Sequence, residues 1–395
     1  MDTRNNPAPI RLHAGRERRV LAGHRWVFSN EIASPLSDYE PGSWVEVFSS
    51  RQASLGIGYV NPGSLIAVRL VCRPGEKPTE TLFRERIQKA ASFRSETLYP
   101  GSKCHRVVFG ESDGLPGLVL DQYGDVLVYQ INTLGMSLLE PLLQEWITDI
   151  FRPRALVFRH DTQSRSLEGL DLVKGVASGE LPVNLEVAIN AIRYRVDLIR
   201  GQKTGLFLDQ RDNRHRLLGW AQGKRILDLF CYNGSWSLAA AVAGASEVTG
   251  VDQSADAITQ AEANASLNGL SERCRFVRGD VIRFLKEAPK GLVDGIIVDP
   301  PAFAKTKGAL SEAKKGYTDL NRRAILAVKP GGMLISCSCS YHMSEDLFRD
   351  VLMQAAQASG RELRLIEARG QSMDHPVLLA MPETRYLKCW LLQVL

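Results

Sequence analysis

The chain has 395 residues, more than one hydrophobic core usually organises, so two or three domains are expected. Hydrophobic residues at 44% and charged residues at 24% are the proportions of a globular protein and exclude wholesale disorder. Forty-nine Lys and Arg against 44 Asp and Glu leave +5, too small a surplus to establish a polyanionic partner alone, so local clustering must carry that argument.

The start, Met1 to Asn6, is polar, and no apolar run follows that would serve as a signal peptide or a membrane span. A cytoplasmic location without membrane contact is the expectation. A basic stretch, Arg11, Arg16, Arg18, Arg19 and Arg25, leads into β-like runs at 44–48, 54–59 and 65–71, punctuated by Gly42, Gly56, Gly58 and the turn Asn61-Pro62-Gly63. This predicts a small β-barrel with a basic face over 1–75. Pro74 to Pro78 reads as a linker before a helix at 81–97, with Leu82, Ile87, Ala90 and Phe93 on its apolar face. Strands at 106–109, 117–121 and 126–131, a helix at 137–151, and strands at 155–159 and near 187–198 then predict a compact α+β element. Residues 76–200 therefore read as the linker helix and a central α+β domain.

From 201 to 395, strand-like runs at 225–230, 247–252 and 295–299 alternate with helical patterns at 234–243, 255–267 and 318–327. Such alternation predicts an α/β, Rossmann-like domain with a parallel sheet covered on both faces, binding its ligand at the carboxyl ends of the strands. The first strand runs Ile226-Leu227-Asp228-Leu229-Phe230 into Cys231-Tyr232-Asn233-Gly234. Asp228 can order this turn or face a cationic group, and Gly234 allows close approach of a nucleoside cofactor. The glycine fingerprint G-x-G-x-x-G is absent, which argues against NAD and FAD. Asp252, closing the next strand, suits two ribose hydroxyls, although an acid there also serves as a helix cap. Asp280, after a third strand, would accept an adenine amino group.

Asp299-Pro300-Pro301-Ala302-Phe303 follows an apolar strand. Its prolines stiffen a backbone able to present carbonyls, and Phe303 can stack on a flat base; the alternative is a tight turn. Farther on, Ser336-Cys337-Ser338-Cys339-Ser340 again sits at a strand end. Carbon-5 of cytosine is a poor nucleophile until a thiolate adds to carbon-6, so a thiol beside the cleft suits carbon methylation. Period-two spacing does not choose between Cys337 and Cys339, though Cys339 is nearer the loop and better exposed. The seven cysteines are odd in number and lack C-x-x-C pairs, so they read as thiols without a metal. The segment Gln202-Lys203-Thr204-Gly205-Leu206-Phe207-Leu208-Asp209-Gln210-Arg211 is rich in groups that bind carboxylate or phosphate, and Asp319 and His342 are further proton acceptors near the cleft.

Together these residues resemble the ribosomal large-subunit methyltransferase I (RlmI) family of 23S rRNA cytosine-5 methyltransferases over nearly the whole chain. Gly15 to Arg19 and His24 to Phe28 look like its RNA-binding PUA domain. Gly110 to Gly117 and Arg159, Asp161, Arg165, Glu168 and Gly169 are similar to its central domain. Lys203 to Arg211, Asp299 to Phe303, Gly316 to Asn321, Ser338-Cys339-Ser340 and Asp374-His375-Pro376 are similar to its catalytic-domain signatures. The resemblance implies a Rossmann-like class I methyltransferase domain, S-adenosylmethionine as donor, 23S ribosomal RNA as partner, a homodimer, and Cys339 as nucleophile. It departs in Tyr341, where relatives often have Gly, in the extra Cys337, and in the lack of a second cysteine beside Asp299 for product release. Expected cofactor residues are Asp209, Gln210, Asp228, Phe230, Gly234, Asp252, Asp280 and Asp299; expected substrate residues are Lys203, Arg211, Pro300, Pro301 and Phe303, with Cys339 and Asp299 catalytic. Methylation of a purine nitrogen, which needs no thiol, and a non-catalytic RNA-binding assembly factor are the competing readings.

Overall fold

The computed structural model describes residues 7–303 and 307–395; the polar start, Met1 to Asn6, lies outside them. The chain divides into two compact units. The first holds 1–187, 196–208 and 374–384, the second 188–195, 209–373 and 385–395.

In the first unit, Ala8–Arg11, Trp44–Phe48, Ser54–Val60, Val68–Cys72 and Trp26–Val27 lie side by side in that order as a five-stranded sheet. Alternating Val45 and Val47 point with Ile10, Val27, Val68 and Leu70 into one apolar core. A second five-stranded sheet runs Val173–Gly179, Ala155–His160, Val126–Ile131, Leu118–Tyr123 and Cys104–Phe109. The helices Glu80–Ser92 and Glu140–Phe151 meet through Phe83 and Trp146, whose rings stack at 5.6 Å. Helix Glu80–Ser92 starts where the Thr79 hydroxyl accepts the Leu82 N–H. It ends before the expected position 97, because Phe93–Leu98 widens into a π-type turn that buries Arg94 against Asp113.

Two strand expectations are corrected. The run expected as one strand at 187–198 is a hairpin, Leu185–Ile189 and Ile192–Val196, turned by Asn190 and Ala191 at φ 50° and 66°. The fifth strand of the central sheet is instead Val173–Gly179, which is largely exposed and shows no apolar alternation. Residues 374–384 group with the first unit because Asp374 accepts the Arg106 N–H at 2.8 Å and its carbonyl receives Arg94 at 3.0 Å.

The second unit is built on a seven-stranded sheet in the order Cys274–Arg278, Glu247–Asp252, Arg225–Leu229, Val293–Val298, Val328–Ser338, Lys388–Val394, Leu363–Arg369. The first five strands and Leu363–Arg369 run in one direction, and Lys388–Val394 runs antiparallel between Val328–Ser338 and Leu363–Arg369. Strand order reverses between Arg225–Leu229 and Val293–Val298, so the crevice beyond their carboxyl ends is where an α/β sheet binds its ligand. Helices Ser235–Val242, Ala255–Leu267, Val281–Glu287, Leu310–Ala327 and Glu345–Ser359 follow the strands. Leu227, Val251, Ile296, Val298, Tyr317, Leu320, Leu334, Phe348 and Trp390 belong to one apolar cluster that fixes these strands to their helices. Helix Leu310–Ala327 begins eight residues before the expected 318, since Ala313 and Tyr317 extend its buried face.

Candidate active site

Both strands at the switch point end in an acid. Asp228, inside Arg225–Leu229, is wholly enclosed; its Oδ2 accepts the Ser237 hydroxyl at 2.6 Å from helix Ser235–Val242. Burial lifts its carboxyl to about 7, the Ser237 hydroxyl pulling the other way and Asp299 and Asp252 adding to the rise. The turn that follows carries Phe230, Tyr232 and Gly234 at φ 62°, 48° and 78°. Two of the three are not glycine, and left-handed backbone in bulky residues is the kind of strain that gathers at ligand clamps. At Gly234 a Cβ would lie 3.0 Å from Phe276 and 3.1 Å from Ala261, so the helix start is a cradle without room for a side chain. Asp252, at the end of Glu247–Asp252, holds the turn by accepting the Tyr232 N–H at 3.0 Å and accepts the Ser254 N–H at 2.9 Å, while Ser254 caps the helix that follows.

Asp299 sits just past Val293–Val298, where its Oδ2 receives Gln210 Nε2 at 3.1 Å and Trp236 Nε1 at 3.0 Å. Gln210 is steadied in turn by Asn213 at 2.7 Å, and Asp209 by the Tyr386 hydroxyl at 2.6 Å. Pro300 is buried and Pro301 exposed. The Phe303 ring lies 4.6 Å from that of Tyr317, tilted by 39°. The Tyr317 hydroxyl meets Ser338 at 3.1 Å and Ser340 at 3.2 Å, and Asn321 receives the Ser336 hydroxyl at 2.7 Å. One chain of contacts therefore links the Asp299 loop, through Phe303 and Tyr317, to the serines on both sides of Cys339.

The two thiols of that strand differ sharply. Cys337 is enclosed opposite Cys389 on the neighbouring strand, and burial first, then Cys389, keeps its thiol protonated. Cys339, one residue past the strand, is half-buried. Cys231 is also driven up by burial, so it is no candidate nucleophile despite its place in the cofactor turn.

Gln210, Asp228, Asp252 and Asp299 thus come together at one edge of the sheet, and other expected residues have contacts of their own. Asp280 caps helix Val281–Glu287, accepting the Arg283 N–H at 2.7 Å. Arg211 is buried, lining a cavity of about 30 Å³ with Ile192, Tyr194 and Ala239. Lys203, at φ 52°, is exposed in the first unit with its ammonium 4.6 Å above the Phe207 ring. Asp319 ion-pairs with Arg322 and Arg323 on its own helix; partial burial opposes, but the arginines hold its carboxyl below its ordinary value. Trp236, Ser237, Tyr386 and Lys388 were not singled out in the sequence. Yet Lys388 is 4% exposed, with Nζ donating to the Ser340 carbonyl at 2.8 Å and the Tyr386 carbonyl at 2.7 Å. A metal site is not indicated: no cluster of His, Cys, Asp and Glu among the described residues is suited to an ion.

Residues 146–377 match a family model described as S-adenosylmethionine-dependent methyltransferase, and residues 10–73 match one described as a PUA-like domain. The chain is 39% identical over 387 residues to ribosomal RNA large subunit methyltransferase I of Shewanella denitrificans, covering 96% of this chain and 97% of that one. It is 36% identical to the protein of the same name from Cronobacter sakazakii, covering 95% and 97%. Among solved structures, one assigned as a methyltransferase and crystallised with SAH superposes with a TM-score of 0.85 at 21% identity, covering 98% of this chain and 100% of that one. Another, assigned as a SAM-dependent methyltransferase from Streptococcus mutans, gives 0.83 at 21% identity over the same shares. At that identity the two structures speak for the fold alone.

Proposed function

The chain belongs to the ribosomal RNA large subunit methyltransferase I family, and from that premise we propose that it methylates carbon-5 of a cytosine in 23S rRNA with Cys339 as a transient nucleophile. At the coarser level it is an S-adenosylmethionine-dependent methyltransferase of large-subunit ribosomal RNA. The residues at the switch point fit that cofactor. Asp228 Oδ1 and Asn233 Nδ2 are buried polar atoms without a hydrogen-bond partner among the described residues. Three neighbouring carboxylates, on Asp228, Asp252 and Asp299, suit a cationic ligand.

When bound, S-adenosylmethionine supplies an electrophilic methyl group. Asp252 would take the ribose hydroxyls and the strained 230–234 turn would face the amino-acid end, with Asp209 and Gln210 steadying the adjoining wall. Asp299, fixed by Gln210 and Trp236, and the Pro300-Pro301 backbone would hold the exocyclic edge of the base while Phe303 flanks its ring. The Cys339 thiolate adds to carbon-6, which pushes electron density onto carbon-5; after methyl transfer, loss of the carbon-5 proton restores the ring and expels the thiolate. The observation that carries the reading is the placement of Cys339, half-buried at the carboxyl end of Val328–Ser338 and tied through Tyr317 to the Asp299 loop.

The test is incubation of wild type and Cys339→Ala with radiolabelled cofactor and protein-free 23S rRNA, followed by chromatography of the nucleosides. Label in 5-methylcytidine that disappears in the variant, with cofactor binding retained, is the expected result. Label in a purine would overturn the thiol mechanism and favour attack by a base nitrogen; absence of cofactor binding would favour the assembly factor. The same reading carries the division near residues 75 and 200, a cytoplasmic location and the homodimer, the last to be checked by sedimentation. No helix among the described residues is long and apolar enough to cross a membrane.

A further inference from the structure

Building on the reading of Cys339 as nucleophile, we propose that Lys388 is its positioning residue: the buried ammonium pins the main chain just after Cys339 and provides the counter-charge that favours the thiolate. Enclosing an ammonium is costly unless a partner compensates it, and the strand that Lys388 opens is otherwise buried and apolar through Cys389, Trp390, Leu391 and Leu392. In register, Lys388 lies opposite Ser338, the last residue of the thiol strand. Its Nζ bonds the carbonyl of Ser340, the residue after Cys339, and the carbonyl of Tyr386, using two of its three N–H donors. Neutral donors would satisfy both carbonyls, so they do not by themselves account for a charged group.

The charges facing the ammonium supply that account. Burial is the largest influence and draws Lys388 down to about 8; Cys339 is the foremost group that favours its charged form, followed by Glu345, while Arg385 opposes it. Glu345 is itself paired with Arg385, which divides its attraction. On the other side of the loop, burial raises the Tyr317 hydroxyl, with Cys339 adding to that rise, so it stands beside the thiol as a neutral hydrogen-bonding group. The coupling is reciprocal: a thiolate that favours the ammonium is favoured by it to the same degree. Lys388 acts here through Cys339 and not by contact with the base.

The test follows alkylation of Cys339 by iodoacetamide against pH in the full chain, read from the Cys339 peptide by mass spectrometry; the other six cysteines are buried. Wild type should show a midpoint below the ordinary thiol value of about 8.5. In Lys388→Gln and Lys388→Met the midpoint should rise by about one unit, lowering the rate at pH 7 roughly tenfold, and Lys388→Arg should restore most of it. An unchanged midpoint in folded Lys388→Gln and Lys388→Met would overturn the proposal. Should those variants fail to fold, a wild-type midpoint at or above 8.5 would overturn it too. The nucleophile reading fails separately, if Cys339→Ala still makes 5-methylcytidine, because alkylation does not depend on turnover.

Discussion

An enclosed carboxyl group resists ionisation, and Asp228 has a protonation equilibrium near neutrality for that reason. Its folded value of about 7 lies above the ordinary 3.8, so the folded chain binds this proton more tightly than the unfolded chain. The contribution is favourable at low pH and is lost as pH rises from about 4 through about 7, the opposite of an ion-paired acid. Asp228→Asn keeps the shape without the charge and should flatten that slope, gaining thermal stability relative to wild type at pH 8 when both are measured without cofactor. Parallel profiles for the two proteins would contradict the assignment. Trp236→Phe removes a donor to Asp299 while keeping an aromatic ring, and should lower turnover several-fold with little loss of stability. At this scale the sequence was partly legible. Strand-end acids announce themselves because a carboxylate closing an apolar run stands out in the pattern, whether it caps a helix, as Asp280 does, or faces a cleft. Trp236, Tyr386 and Lys388 do not, since each gains its meaning from a partner distant in sequence.

The turn from Phe230 to Gly234 joins strand Arg225–Leu229 to helix Ser235–Val242 by three left-handed residues in five positions. Gly234→Ala introduces a Cβ against Phe276 and Ala261 as well as the backbone penalty, and should cost about 1 to 3 kcal/mol by denaturant titration, with weaker cofactor binding by calorimetry. A variant as stable and as tight-binding as wild type would contradict the role given to this turn. The elements that the pattern located well are those rich in buried apolar side chains: Trp44–Phe48, Val126–Ile131, Glu247–Asp252 and Ala255–Leu267 lie where expected. Those it misplaced have separate causes. Val173–Gly179 is an exposed edge strand, and the hairpin at Asn190-Ala191 turns on residues that carry no strong turn signal in combination. The start of Leu310–Ala327 was missed because its first two turns carry Ser311, Glu312, Lys314 and Lys315 among few apolar residues.

At the scale of the whole molecule, cofactor and RNA are read by different chemistry. Net charge is only +5, so RNA affinity is expected to depend on local clusters such as Arg16 and Arg18, both exposed in the PUA-like segment. Arg16→Glu with Arg18→Glu should weaken rRNA binding about tenfold or more at low salt, and reduce its salt dependence, while leaving the affinity for S-adenosylmethionine unchanged. Equal loss of both would show that the arginines act through the fold. The central claim, a covalent bond between Cys339 and the target base, is tested most directly with 23S rRNA transcribed with 5-fluorocytidine. Fluorine at carbon-5 blocks the loss that releases the enzyme, so incubation with S-adenosylmethionine should accumulate a complex that survives denaturing electrophoresis and yields a nucleotide-modified Cys339 peptide. A complex absent from wild type, or present undiminished in Cys339→Ala, would contradict the account.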